Sequence, residues 1–391
     1  MTRQLTEVVA SDPALRVPLP VFHLFKFLLS LYVVARFLWP MPWPKWIKAV
    51  IAITLIVVFQ HSYISLVVFG TMFSPEVPRA VMIAVNWLAG SVLFLAVLQL
   101  VIDVISLVTA AIRRRIIRVP AGLRYAVGAV ALSTAAFAVS QAIRVPPVKE
   151  MEVRIKNLPA EFEGYRLIQL TDLHLSRLFE APWAEQTVAL ANAQNADLIV
   201  LTGDLIDGTL QAREKDIAPL AKLRARDGVF TIPGNHEYYF GHDDWMHKYQ
   251  ELGLTTISNG HVVLQRGEGK LTLAGVNDVN ATRFEREGPD VTKALSGAPE
   301  GAPVILLDHQ PRNARISAAA GADLQLSGHT HGGMIRGFDQ LVARFNNGFV
   351  SGLYDVDGMQ LYVNNGTALW IGFALRLGVP SELTVITLKQ A

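Results

Sequence analysis

The chain has 391 residues, 51% of them hydrophobic and 17% charged, with a formal net charge of +2 and no cysteine. A soluble enzyme carries nearer a quarter charged residues, so part of this chain is built for a medium other than water. The charge balance gives no footing for nucleic acid, and the lack of cysteine excludes thiolate ligands, a cysteine nucleophile and disulfides.

The apolar excess lies in residues 1–145, which are expected to form an α-helical transmembrane bundle. Four runs, from Val21 to Trp39, Trp46 to Phe69, Val81 to Ala110 and Tyr125 to Ile143, each reach the roughly 20 residues needed to cross the hydrocarbon core. Pro40-Met41-Pro42-Trp43-Pro44 makes a stiff aromatic connection suited to the interface. The first run starts too far from Met1 for a cleavable signal, and further spans follow it.

Arg36, Lys45 and Lys48 follow the first span, and Arg113, Arg114, Arg115, Arg118 and Arg124 follow the third. On the opposite side Arg3, Arg16, Arg79, Arg144 and Lys149 are offset by Glu7, Asp12, Glu76 and Glu150. The positive-inside rule then puts both basic loops in the cytoplasm and everything after Ile143 outside it, in a multi-pass protein of the inner or plasma membrane. Within the spans, Asp103 is expected to pair with Arg113 or reach the interface, and His61 to hydrogen-bond between helices. His23 matches no motif.

Pro146-Pro147 marks a linker over residues 146–150, and residues 151–391 read as a soluble α/β or α+β domain. Met151 to Ile155 alternates like a strand, and Arg166 to Leu170 leads into Asp172-Leu173-His174. A helix is expected over Trp183 to Asn195, and Leu198 to Leu201 leads into Gly203-Asp204. Ile217 to Ala225 has a helical pattern, and Val229 to Ile232 leads into Gly234-Asn235-His236-Glu237. After a charged helix around Asp243 to Glu251, strands come closer together: Leu271 to Val276, Val304 to Leu307, Ala322 to Leu326, Gln360 to Val363 and Leu383 to Leu388. His309 follows the second of these and Gly328-His329-Thr330-His331 the third. Strand sets that bring their loops to one edge predict two sheets packed face to face with helices outside.

A lone Asp-x-His is common, but five such motifs in order, each after a strand-like run, assemble the donors of a dinuclear metal site. Two divalent ions held about 3.5–4 Å apart neutralise phosphate oxygens and carry a bridging hydroxide that attacks phosphorus in line. Carboxylate oxygen and imidazole nitrogen suit Mn²⁺, the favoured pair here, with Zn²⁺ or Fe as alternatives. Asp172 and His174, two apart on one side of an extended segment, bind one ion; Asp204 bridges; Asn235 and His309 bind the other. His329 goes to the second ion and His331 to the first. Arg177, Asp207, His242 and Asp278 are further candidates to line the pocket, Arg177 as a substrate contact. Trp370, Ile371 and Phe373 are expected to pack in a core, with a lipid-facing lip as the alternative.

These motifs resemble the pattern D-x-H, G-D, G-N-H-[DE], H and G-H-x-H of the calcineurin-like metallophosphoesterase superfamily. The resemblance implies a four-layer αββα sandwich and the ligand assignments given above. It also implies that His236 is not a ligand but contacts the phosphate and protonates or stabilises the leaving group, with Asp204 also catalytic and Asp204 or Glu237 orienting His236. Gly332-Gly333, Gly352-Leu353-Tyr354, Leu361 to Gly366, Arg376 and Glu382-Leu383-Thr384 resemble its membrane-associated branch, called YkuE-like or transmembrane phosphoesterases. Met334 stands where that branch usually has glutamine, and Asn365 where it often has arginine.

The expected function is hydrolysis of a phosphodiester or phosphomonoester, with a lipid or lipid-linked substrate favoured by the membrane spans. The alternatives are a nucleotide-sugar lipid pyrophosphatase, and a transporter or sensor with the phosphoesterase-like module as its regulator. The expected partners are the bilayer and the phosphate ester, with no nucleic acid.

Overall fold

The computed structural model describes residues 19–391, so Arg3, Glu7, Asp12 and Arg16 of the charge argument lie outside the described residues. Among the described residues, contacts group 19–141 with Gly372–Leu375, and 142–371 with 376–391.

The helical unit begins with α1 (Leu19–Val33), which continues through a π-helical turn over Val34–Leu38. α2 (Lys45–Phe59) and α3 (His61–Phe69) follow, then α4 (Arg79–Arg113) and α5 (Ala121–Ile143). Among the described residues three helices are long and apolar enough to cross a membrane, or up to four if the bent pair α2–α3 is one span. The expected second span is therefore broken at Gln60, by 61°. Val33, Phe37, Leu38, Val92 and Leu95 pack the bundle interior, while Ile53, Val67, Ile105 and Leu107 are exposed, as lipid-facing side chains are.

Asp103 does not pair with Arg113. It takes a two-pronged hydrogen bond from Arg36, at 2.9 and 3.0 Å, and single bonds from Tyr32 and Gln99. The planar guanidinium matches both carboxylate oxygens at once, which a neighbour ten residues on along the same helix does not supply. His61 does not bond to another long apolar helix: its ring nitrogens lie 2.9 Å from the carbonyls of Val58, three residues earlier, and Gly372.

The second unit starts with β1 (Val148–Ile155), β2 (Arg166–Leu170), α6 (Ala181–Asn192) and β3 (Leu198–Leu201). Next come α7 (Leu210–Ile217), β4 (Val229–Thr231), α8 (Asn235–Tyr239), α9 (His242–Glu251) and β5 (Thr255–Thr256). The helix expected over Ile217 to Ala225 is replaced by α7 and a 3₁₀ turn, Ala218–Lys222, because Pro219 cannot continue an α-helical ladder. β6 (Gly260–Arg266), β7 (Gly269–Gly275), α10 (Val291–Leu295), β8 (Val304–Leu307), α11 (Ala314–Ala319) and β9 (Leu324–Ser327) follow. The chain ends with α12 (Asp339–Phe345), β10 (Gly352–Val356), β11 (Met359–Val363) and β12 (Leu383–Gln390).

Two six-stranded sheets result, ordered β1-β12-β2-β3-β4-β5 and β10-β11-β9-β8-β7-β6. Alternate residues of the central strands serve two cores. Leu198, Val200, Leu273, Ile305, Leu307 and Leu326 fill the space between the sheets. Leu306, Leu361 and Val363 pack outward with Val291, Ala294 and Ala314 of the flanking helices. Burial on both faces is what makes these strands continuously apolar. β2, β3 and β4 are mutually parallel, and so are β7, β8, β9 and β11, so each set delivers its following loops to a single edge. At that edge Gln169 of β2 donates to Ser327 O of β9, tying one sheet to the other.

Of the stretch expected to pack in a core, Ile371 is fully buried, whereas Trp370 and Phe373 are only half-buried. Leu273→Ala is expected to destabilise the second unit by about 2–5 kcal/mol through the cavity left between the sheets. Urea unfolding of the detergent-solubilised chain measures this, and an unchanged midpoint would contradict the packing described.

Candidate metal centre

The donors stand just past the strand ends, where the backbone turns sharply. Asp172, His174, Asp204, His329 and His331 all have positive φ, at 53°, 41°, 56°, 69° and 49°. Asp172 and His174 therefore do not share one side of an extended segment as expected. Left-handed residues redirect both side chains inward, at a cost of about 1–2 kcal/mol each that the surrounding hydrogen bonds offset. Those bonds run from Asp172 N to Gly203 O and from His174 N to Asp204 O, locking the loop after β2 onto the loop after β3.

The motif glycines have a steric role. A Cβ on Gly234 would collide with the Asp204 carboxylate, and one on Gly328 with Thr171 Oγ1 and Asp172 Oδ2. Only glycine lets the loops close over the two aspartates.

The structure brings together every residue expected to bind metal. Asp172, His174 and His331 present donor atoms within 4.8 Å of one another, and so do Asp204, His309 and His329. Asp204 Oδ2 lies 3.2 Å from His309 Nε2 and 3.8 Å from His174 Nε2, so it stands between the clusters. Asn235 Oδ1 is 3.2 Å from His309 Nε2 on the same side.

The set fits a pair of cations on chemical grounds. His174 Nε2 is buried with no hydrogen-bond partner, between Asp172 and Asp204, each 3.8 Å away. Asp172, Asp204 and Asp207 are buried carboxylates in one small volume, an arrangement that calls for positive charge. Without it the imidazoles take up the role. Burial opposes charge on His174, yet the carboxylates of Asp207, Asp172 and Asp204 outweigh it and lift the ring to about 10. Burial prevails at His329 and His331, pushing them down to about 4 and about 3, the neutral form that metal binding requires.

His236 sits differently. Its backbone N–H donates to Asp204 Oδ1, its Nδ1 lies against Asp207 Oδ1, and its Nε2 is 3.9 Å from Asp204 Oδ2. The imidazole is therefore oriented by Asp207, not by Glu237 as one expectation had it. Glu237 instead accepts from the backbone N–H groups of Asp204, Leu205 and Gly234 and from Tyr249 Oη, clamping the loops after β3 and β4. Asp207 also faces His174 Nδ1 at 3.0 Å, so one carboxylate orients a proposed ligand and the proposed phosphate contact together. Burial would raise its pKa, but the two histidines hold it down at about 2. Sequence reasoning placed Asp207 only among pocket-lining candidates; its spacing three residues after Asp204 was the available signal.

Of the other candidates, Arg177 lies 3.7 Å from Glu180, His242 is bonded to Asp243, and Asp278 accepts from Gln310 and Asn280. Arg376, which sequence reasoning left without a role, is buried and donates to the carbonyls of His331, Asn365 and Ala368, at 3.2, 2.7 and 2.8 Å. Ala368 N in turn donates to Asp172 O, so this guanidinium braces both loops that flank the first cluster.

The family model for calcineurin-like phosphoesterases matches residues 165–333. A transmembrane protein with metallophosphoesterase domain from Danio rerio is 33% identical over 266 residues, covering 66% of this chain and 60% of that one. A metallophosphoesterase of Helicobacter pylori (strain ATCC 700392 / 26695) is 35% identical over 245 residues, covering 62% and 64%. The metallophosphoesterase YkuE of Bacillus subtilis is 31% identical, covering 62% of this chain and 85% of its own length. The chain thus belongs to the calcineurin-like phosphoesterase family, and it spans under two thirds of the length of the first two relatives.

Two outcomes are expected. Asp207→Asn weakens metal binding roughly 10- to 100-fold, because His174 loses the partner that sets its tautomer and orientation; titration of the stripped protein with Mn²⁺ reads this, and an unchanged Kd would contradict it. Arg376→Met costs roughly 3 kcal/mol or more in denaturant unfolding, since several buried carbonyls lose their donor, and lysine restores only part of that.

Proposed function

We propose that the protein is a membrane-anchored, metal-dependent phosphoesterase that hydrolyses a phosphodiester or phosphomonoester of a lipid or lipid-linked substrate. The observation that carries the hydrolytic reading is the convergence of Asp172, His174, Asp204, Asn235, His309, His329 and His331 at one sheet edge, around a buried imidazole nitrogen that lacks a partner. Asp172, His174 and His331 would hold one ion and Asn235, His309 and His329 the other, with Asp204 shared. The ions when bound, Mn²⁺ being favoured by the hard oxygen and imidazole donors, neutralise phosphate oxygens and acidify water.

The chain's own groups supply the rest. His236 presents Nε2 toward the space between the clusters, where it hydrogen-bonds a phosphate oxygen and passes a proton to the departing oxygen. Asp207 keeps that ring fixed. Glu237 holds the Asp204 loop in register, so its carboxylate does not swing away when substrate binds.

The lipid assignment rests on the apolar helices that precede the domain. If α2–α3 forms one span there are four crossings, and the basic segments after α1 and α4 then favour a catalytic unit outside the cytoplasm. A short Pro146-Pro147 linker follows the last apolar helix, which favours a substrate that resides in the bilayer.

Asp204→Asn is expected to lower turnover by at least about a thousandfold while leaving membrane insertion intact. Stripped protein reconstituted with Mn²⁺ should release phosphate or a phosphorylated headgroup from a total lipid extract faster than from p-nitrophenyl phosphate. Loss of no activity in the Asp204 variant would sink the hydrolytic reading; preference for the soluble ester would sink only the lipid assignment.

A further inference from the structure

A second polar cluster lies in the helical unit and contains no carboxylate. His23 and Lys26, three residues apart on α1, are enclosed by protein, at 8% and 7% exposure. Lys26 Nζ donates to Ser62 Oγ at 2.7 Å and lies over the rings of Phe22 and Phe59. Among the described residues no carboxylate pairs with it, and an ammonium has three donors to place. Both ring nitrogens of His23 are buried without partners. Gln60 donates its Nε2 to His23 O at 2.8 Å, leaving its Oε1 buried and without a partner.

Gln60 stands at the 61° break between α2 and α3, and Ser62 lies in the first turn beyond it. Interrupted apolar helices with a polar lining are tolerated where the freed groups meet a ligand or a cavity. A cation enclosed among such helices requires a counter-charge. The depth fits a headgroup: Lys26 is five residues past Val21, where the apolar stretch begins, or about 7.5 Å along the helix.

We propose that His23, Lys26, Gln60 and Ser62 bind the phosphoryl headgroup of an anionic lipid that carries a free hydroxyl. The Lys26 ammonium and one His23 N–H face the phosphate oxygens. Gln60 Oε1 and the second His23 nitrogen only accept, so they select a hydroxyl on the esterified alcohol. Exposed Phe25, Tyr63 and Val67 on the same helices give the acyl chains an apolar surface. The site is independent of the hydrolytic reading, since it shares no residue with the metal centre.

The full chain is purified from phosphatidylcholine nanodiscs containing graded phosphatidylglycerol, and retained lipid is counted by native mass spectrometry. Wild type is expected to retain one phosphatidylglycerol at about tenfold lower mole fraction than Lys26→Gln, and to prefer it to phosphatidate, which lacks the hydroxyl. Lys26→Arg keeps the charge and retains the lipid, and His23→Ala weakens retention, which covers the case in which Lys26→Gln does not fold. Equal retention by wild type, Lys26→Gln and His23→Ala overturns the site. Displacement of the lipid by inorganic phosphate at equal concentration overturns the lipid assignment in favour of a free anion. Hydrolysis by Lys26→Gln at the wild-type rate keeps this result separate from the catalytic one.

Discussion

The crowding of three buried carboxylates, Asp172, Asp204 and Asp207, at one edge of the sandwich is the constraint on which the catalytic unit depends. Their charges repel at close range in a region that excludes water, and no single element of the fold would hold them there. Two devices do so. Left-handed backbone at Asp172, His174, Asp204, His329 and His331 turns the donors inward, and the glycines at 234 and 328 remove the side chains that would block the approach. The inter-sheet core then supplies a platform rigid enough to carry this strain.

The polar groups behind the donors divide the work. Glu237 fixes the backbone on which Asp204 stands, Asp207 sets two imidazoles, and Arg376 braces the carbonyls behind His331 and near Asp172. Each is buried and bonds to the backbone or the rings it positions. Among the described residues the His174 Nε2 is buried without a protein partner between Asp172 and Asp204, an arrangement that suits a metal ligand.

The helical unit holds its cations in two contrasting ways, one exposed and one buried. Near the end of α1 Arg36 is matched to Asp103 with both carboxylate oxygens engaged, and the pair needs nothing further. In the first half of α1 Lys26 has only a hydroxyl and two ring faces. The difference between a satisfied and an unsatisfied cation within one helix is the physical basis for assigning structure to the first and binding to the second.

Much of this molecule was legible in the linear chain. Runs such as Leu198 to Leu201 read as strands buried on both faces because nothing polar interrupts them, and the five motifs named the donors because few chemistries need that set in that order. What the chain alone could not display was anything decided by which loops meet. The carboxylate that orients His236 depends on the loop after β3 lying against the loop after β4. The partner of Asp103 depends on how α1 packs on α4, and the inward turn of Asp172 and His174 on hydrogen bonds to residues about thirty positions away. Periodicity and residue type are local properties and survive in the sequence; pairings between distant segments arise only when packing selects one arrangement of the loops over all others.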